Sequence, residues 1–217
     1  MITVEQAIAA ILEQIRPLGT ERVHILAACG RVLAEDIISG LNVPPHDNSG
    51  MDGYAVRYAD IEDARPDHPA WLSVAGDLAA GSVAAAALQP GQALRIMTGA
   101  PIPSGADTVV KKEDTILEGD IVGILSAGRR GLNVRCAGED INTGAQVFTR
   151  GALLRPAHLG VLASIKRAVV SVYQRPQVAI LSTGEELVDI DGDLAPGKIV
   201  TSNSYALAGL VADAGAE

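Results

Sequence analysis

Apolar positions change their period along the chain, and each change predicts a different kind of element. Ile8, Ile11, Leu12 and Ile15 recur at helical spacing near the N-terminus. Thr3 and Gln6 ahead of them form a T-x-x-Q capping-box pattern, and Pro17 and Gly19 follow. The segment therefore predicts a helix that begins at Thr3 and stops before Pro17, with one apolar stripe that needs a partner surface. Residues 23–41 read as extended pieces around a turn at Cys29-Gly30. Residues 43–50, VPPHDNSG, form a stiff loop of turn formers, a natural place for the chain to leave one domain and enter another.

From about residue 53 to 138 the pattern is all-β. The short apolar runs Trp71–Ala75, Ala93–Met97, Thr108–Val110 and Ile121–Leu125 alternate with Gly- and Pro-containing breaks, which predicts a small barrel or sandwich. After Gly138 a strand is expected between Gly144 and Gly151. A helix with Pro156 at its N1 position carries Leu159, Leu162 and Ala163, and a strand follows over Ala168–Val172. Val178–Leu181 is a continuous apolar run, the pattern of a strand buried on both faces. Ser202 is positioned to cap a helix through Leu207, Leu210 and Val211, so this region reads as the opening of a doubly wound α/β unit. The expected fold class is a multidomain α+β and α/β protein whose last domain is incomplete or is completed by a further chain, because one strand and one helix of a parallel sheet cannot cover each other.

Composition narrows the functional classes. Apolar residues make up 48% of the chain but aromatics only 3%, so a globular core built from Ala, Val, Ile and Leu is expected, not a disordered or fibrous chain. The net charge of −9 argues against a general nucleic-acid binder or an anionic-membrane binder. No apolar run approaches the ~18–20 residues of a membrane span, and the N-terminus lacks the features of a signal peptide. A cytoplasmic protein is expected. Cys29 and Cys136 form no CxxC and read as small buried hydrophobes. His24, His46, His68 and His158 show no metal-ligand spacing. Charge is uneven, however: residues 129–175 hold eight basic side chains against Glu139 and Asp140, a local charge of +6. That stretch is either a local anion site or a dispersed, solvated surface.

Three segments join turn geometry to functional side chains. In Asp47-Asn48-Ser49-Gly50-Met51-Asp52-Gly53 the polar groups either order their own loop or hold a metal or a polar ligand. In Met97-Thr98-Gly99-Ala100-Pro101 a hydroxyl meets a close backbone approach at a strand end, suited to phosphate but equally explained by a type II turn. Ser182-Thr183-Gly184-Glu185-Glu186 stands at the carboxyl end of the apolar run, where ligands of open α/β sheets lie, though two solubilising glutamates would give the same pattern. The chain contains no G-x-G-x-x-G, P-loop, H-E-x-x-H or G-x-S-x-G motif.

The segments PPHDNSGMDGYAV, RIMTGAPIPSGADTVV, NVRCAGEDI and AILSTGEEL, in this order across residues 23–203, closely resemble the molybdopterin molybdenumtransferase family, which includes the bacterial MoeA proteins and the E domain of gephyrin. The resemblance implies the last step of molybdenum cofactor synthesis. Adenylylated molybdopterin is cleaved with Mg²⁺ present, molybdate enters the dithiolene, and AMP is released. It also implies an elongated homodimer, with a molybdopterin adenylyltransferase as the upstream partner and neither nucleic acid nor membrane involved. On this basis residues 1–22 form a helix packing on another domain, and 23–50 with 139–175 form a mixed α/β domain. Residues 51–138 form an inserted β-rich domain, and 176–217 begin a molybdopterin-binding-like α/β domain. By motif, Asp52, Asp140 and Glu186 match the family's catalytic positions. Thr98, Arg135, Thr183 and Gly184 match ligand-binding ones, and the metal ligands are unassigned. Carboxylates suit cation and water, and an Arg fork suits phosphate.

The sequence departs from the family at Cys136-Ala137, where further arginines are common, and at Lys111-Lys112 and Thr201. Family members continue past this point, so the chain is expected to be an N-terminal portion without activity of its own. The alternative within the same resemblance is a non-catalytic dimerisation or scaffolding module.

Overall fold

The structure, a computed structural model, describes residues 2–217. They divide into two compact units: residues up to Ile37 together with Phe148–Glu217, and the intervening Ile38–Val147.

The first unit is built on an antiparallel pair, Thr20–His24 with Val169–Tyr173, in register from Thr20 opposite Tyr173 to His24 opposite Val169. Leu33 joins it by a bridge to Val172, and Val32 bridges Leu153. Helix Pro156–Ser164, with proline in its first turn, buries Leu162. Leu33, Ile37, Leu154, Ile165, Val170 and Val172 are also buried. This core is aliphatic, as the scarcity of aromatic residues requires. Arg31 is buried too, and its guanidinium is satisfied by Glu21 and by the Tyr173 carbonyl. A buried charge is tolerated only with such partners.

The N-terminal helix spans Val4–Gln14 and carries the predicted capping box. Thr3 accepts from the Gln6 amide, and the Gln6 side chain accepts from the Thr3 amide. Its apolar stripe stays exposed, with none of its residues buried. The last stretch differs from expectation. Val178–Leu181 forms no strand: Val178 and Leu181 are exposed, and among the described residues only Val178 makes a ladder-like bond, to the Glu217 carbonyl. An apolar run becomes a doubly buried strand only when neighbours pair along both edges and layers cover both faces, and here neither is supplied. The parallel pairing forms instead between Leu187–Val188 and Ile199–Val200. The C-terminal helix spans Ser202–Asp213, with Thr201, not Ser202, at the N-cap.

The second unit is the β-rich body. Its six-stranded sheet runs, in spatial order, Thr108–Lys111, Gly53–Val56, Gln92–Ile96, Ala70–Leu78, Ile121–Ile124, Thr115–Glu118. Neighbours are antiparallel except Ala70–Leu78 with Gln92–Ile96, which are parallel, with a bulge between Val74 and Asp77. Side chains alternate across a strand. Tyr54 and Val56 therefore pack with Ile61, Leu72, Ala93, Val110, Val122 and Ile124, while Ala55 packs on the other face with Leu78, Ile96, Ala100 and Val109. All four residues of Gly53–Val56 are buried, which makes this strand the rigid spine behind the loop that precedes it.

Both cysteines are exposed, not buried. Cys29 sits in the tight turn with Gly30 and Cys136 just beyond a two-residue strand, and neither position faces a core. Among the described residues no helix is long and apolar enough to cross a membrane.

Candidate functional site

In the second unit, three segments distant in sequence form one ribbon, with the loop before Gly53 in the middle. On one side Asn48–Ser49 pairs antiparallel with Val134–Arg135, extended by the Gly50 amide donating to the Asn133 carbonyl at 2.8 Å. On the other side the Ser49 amide donates to the Ala100 carbonyl (2.9 Å), the Gly99 amide to the Ser49 carbonyl (2.8 Å) and the Ile102 amide to the Asp47 carbonyl (3.0 Å). Ser49 itself is buried, and its hydroxyl donates to the Met51 carbonyl at 2.5 Å, which folds the chain back into the spine. Met97–Ala100 is a type II turn. The Ala100 amide returns to the Met97 carbonyl at 3.0 Å, and Gly99 alone of the two central residues has positive φ, 83°.

Asp52 and Thr98, 46 residues apart, meet at one edge of the ribbon. Asp52 Oδ1 accepts the Thr98 amide at 2.8 Å and its hydroxyl at 2.7 Å. The Asp52 carbonyl accepts the Lys112 amide at 3.1 Å, and Oδ2 receives no hydrogen bond from the described residues. The backbone N–H and then the hydroxyl of Thr98 hold the Asp52 carboxyl below the usual carboxylate range. Both donors favour the charged form. Asp52 is thus an oriented anion at neutral pH, suited to a cation or a polar ligand but not to donating a proton. The carboxylates of this loop do not order it locally: Asp52 reaches Thr98, and Asp47 reaches the Ala137 amide, 90 residues away, at 2.7 Å.

At the other edge stands Arg135. Its Nε donates to Glu139 Oε1 at 2.5 Å and its Nη2 to Asp140 Oδ2 at 2.8 Å. Its hydrogen bonds to Glu139 and then to Asp140 raise the guanidinium above its ordinary value. The sequence points to an Arg fork open to phosphate, whereas in the structure two carboxylates already hold that fork. Glu139, which carries half of this pairing, was not singled out by motif; its one sequence signal is the four-residue spacing from Arg135.

The basic stretch divides between the two units, and several of its side chains are paired. Arg130 pairs with Asp107 in the second unit, while Arg167 pairs with Glu35 and Arg175 with Glu217 in the first. Arg150 donates to the Tyr173 hydroxyl in the first unit.

Thr183, Gly184 and Glu186 belong to the first unit. Thr183 and Glu186 line a cleft of about 360 Å³ together with Ser182, Thr201, Ser202 and Asn203. The Glu186 carboxylate folds over Gly184 so closely that a Cβ there would lie 2.6 Å from both of its oxygens. An adjoining cleft of about 490 Å³ contains Asp189 and Tyr205. The Tyr205 hydroxyl (2.6 Å) and then the Ile190 amide (2.8 Å) hold the Asp189 carboxyl below its ordinary value. Among the described residues no three His, Cys, Asp or Glu side chains converge as a metal-ligand set.

Comparison with known proteins gives one consistent result. Residues 2–165 match the family described as the MoeA N-terminal region, domains I and II. A molybdopterin molybdenumtransferase of Nostoc sp. is 47% identical over 91% of this chain and 45% of its own length. Molybdopterin molybdenumtransferase 2 of Mycobacterium tuberculosis is 41% identical over 98% of this chain and 52% of its own. The chain spans about half the length of the curated relatives it matches. The crystal structure of a molybdopterin biosynthesis MoeA protein from Pyrococcus horikoshii superposes with a TM-score of 0.92 at 36% identity, covering 98% of this chain and 57% of that one. With the motifs in order, three quarters of the chain inside the family's boundaries and the same fold in a solved relative, the chain belongs to the MoeA N-terminal region family.

Proposed function

We propose that the protein acts in molybdenum cofactor synthesis as a molybdopterin molybdenumtransferase, inserting molybdate into adenylylated molybdopterin with release of AMP. This chain contributes the carboxylate ribbon, and the four-part domain division expected from the sequence, with 176–217 opening a molybdopterin-binding-like domain, belongs to the same reading. The observation that carries it is the Asp52–Thr98 pair: a charged carboxylate with one oxygen fixed by two donors and the other oxygen free.

In this reading Thr98 acts through Asp52, holding it charged and oriented. Arg135 receives the phosphate of the substrate, Asp140 and Glu186 take the catalytic roles that their motifs imply, and Thr183 and Gly184 bind ligand. Mg²⁺ keeps several waters and needs only one or two carboxylates beside substrate phosphates. Asp52 through Oδ2, or Asp140 through the oxygen that Arg135 leaves free, fits that requirement. Bound there, the ion would neutralise charge on the anhydride being cleaved. A cytoplasmic location and supply of the adenylylated substrate by an adenylyltransferase complete the proposal.

The test is AMP release by the intact protein given adenylylated molybdopterin, Mg²⁺ and molybdate. Release by the wild type and a large loss in Asp52→Asn are expected. Unchanged release in Asp52→Asn would remove Asp52 from the mechanism.

The exposed stripe of the N-terminal helix supports a homodimer, and a scaffolding role would use the same face. Sedimentation of Ile11→Glu against wild type tests the association. A dimer that persists in the variant excludes that stripe as the interface.

A further inference from the structure

One carboxylate of the ribbon, Asp47, has no part in the mechanism above, yet it occupies the junction of all three segments. Its main-chain carbonyl holds the Ile102 amide at 3.0 Å, and its Oδ1 accepts the Ala137 amide at 2.7 Å. Ala137 lies within the turn that joins Arg135 to Glu139 and Asp140. The three residues after it are held by main-chain carbonyls, Gly138 by Pro44 at 2.9 Å, Asp140 by Val43 at 3.0 Å and Glu139 by Cys136 at 3.1 Å, while the Cys136 amide before it donates within the turn to Glu139 Oε2 at 3.0 Å. The three main-chain bonds do not depend on which side chain stands where. The Ala137 amide is different, because its partner is a side chain contributed from 90 residues away.

We propose that Asp47 is a positioning residue for the anion-handling side of the site. By capping the Ala137 amide, it fixes the turn that aims Arg135 and Asp140 and ties that turn to the loop carrying Asp52. The inference rests on the proposed transferase reading and deepens it. What the clamp needs is a fixed acceptor oxygen, not a charge. The amide oxygen of asparagine supplies the same acceptor at the same distance from the backbone, while alanine supplies none. A group acting by charge on substrate or cation would give the opposite result, with asparagine as defective as alanine.

The experiment compares wild type, Asp47→Ala and Asp47→Asn in the intact protein by two measurements. Amide hydrogen exchange over residues 134–141 reads the clamp directly, and steady-state AMP release from adenylylated molybdopterin with Mg²⁺ and molybdate reads its consequence. Asp47→Ala is expected to speed exchange in that peptide about fivefold, the factor corresponding to one net hydrogen bond. It is also expected to raise KM more than it lowers kcat, since the anion contacts lose their aim. Asp47→Asn should restore both, and because it preserves the bond it stays informative if the alanine variant folds poorly.

Unchanged exchange in Asp47→Ala overturns the proposal. So does an asparagine variant as impaired as the alanine one, and so does faster exchange with wild-type KM and kcat. A wild type that releases no AMP would overturn the transferase reading instead, and the exchange contrast alone would then decide whether Asp47 positions the Arg135 turn.

Discussion

Gly53→Ala isolates the coupling between the sheet and the site. Gly53 begins the central strand, opposite Lys111 on one side and Ile96 on the other. A Cβ added there would stand 2.0 Å from the Val110 carbonyl oxygen and 2.9 Å from both the Val110 carbonyl carbon and Lys111 Cα. These obstacles are backbone atoms, so no rotamer change relieves the clash, and Thr108–Lys111 must move away by roughly an ångström or more to restore ordinary van der Waals contact. That shift stretches the ladder at Gly53–Lys111 and the adjoining bond from the Lys112 amide to the Asp52 carbonyl, already 3.1 Å long. Overpacking of this kind costs about 1–3 kcal/mol, and weakening one or two hydrogen bonds adds about 1 kcal/mol each. The smaller entropy of the unfolded alanine chain returns about 0.4–1 kcal/mol. The net loss is on the order of 3 kcal/mol, which lowers Tm by about 6–12 °C for a chain of this size.

Differential scanning calorimetry measures that shift, and hydrogen exchange over 93–96 and 108–111 locates it in the second unit. Gly99→Ala is the internal comparison. At φ 83° with no atom within 4 Å of the added Cβ, it carries dihedral strain but no clash, a cost of about 1–2 kcal/mol. A Gly53→Ala variant that melts within 2 °C of wild type, a margin below that expected for 1 kcal/mol, or one more stable than Gly99→Ala, would refute the reasoning.

Thr98→Val removes the hydroxyl donor to Asp52 while keeping the backbone one, so the Asp52 carboxyl should move up toward its ordinary value. The acid limb of the pH profile for AMP release should shift upward with it, and an unmoved limb would show that the hydroxyl does not set the Asp52 charge. At Asp107, burial pushes the carboxyl up, but the Tyr58 amide, the Thr108 hydroxyl and Arg130 together outweigh it and hold it below the ordinary value. A carboxyl whose folded pKa is depressed stabilises the fold above its unfolded pKa, near 4, and loses that contribution as pH falls through the folded value. Urea unfolding at pH 7 and pH 3 should therefore show a smaller acid-induced loss in Asp107→Asn than in wild type, and equal losses would count against it. Glu139→Gln removes one of the two charges competing for Arg135, so KM for the adenylylated substrate should fall by no more than about fivefold, the scale of an exposed ion pair, with kcat unchanged. A raised KM would mean that Glu139 helps to hold the substrate instead.

Where local chemistry decided the outcome, the sequence was readable. The Thr3–Gln6 capping box needs only residues three apart, and it forms with both reciprocal bonds. The strands over 70–78, 92–96, 108–111 and 121–124 match the apolar runs expected to be strands, two of which, Ala93–Met97 and Ile121–Leu125, reach one residue further, because alternation against a core leaves few other registers. Gly99 and Pro156 likewise occupy the backbone positions their chemistry requires. What the sequence hid was pairing at a distance. Nothing local to Asp52 announces Thr98, and nothing local to Asp47 announces Ala137; motif resemblance brought Asp52 and Thr98 onto one list without saying that they touch. The charge of residues 129–175 left an anion site and a dispersed surface both open for the same reason, since the partners Glu35, Asp107 and Glu217 lie outside that stretch. The exposed cysteines and the unpaired Val178–Leu181 segment show the converse limit: apolar character states a preference for burial, and packing decides whether it is met.

Three acidic groups of the ribbon share a construction that bears on how such a site can vary. Asp52, Asp47 and Glu139 each accept a main-chain N–H, from Thr98, Ala137 and Cys136 respectively. A carboxylate fixed by a backbone donor is placed by the register of the strands rather than by the identity of neighbouring side chains. Side-chain departures such as Cys136-Ala137 can therefore be accommodated without moving the carboxylates, because residue 136 and residue 137 each contribute an amide whatever side chain they carry, proline excepted. Backbone changes have no such tolerance. A slip of one residue between 48–49 and 134–135 would present Arg135 to the opposite face and withdraw the Ala137 amide from Asp47 at the same time. The glycine at 53 and the buried serine at 49, rather than the charged residues themselves, are accordingly the positions where the smallest chemical change should do most damage to the charge arrangement.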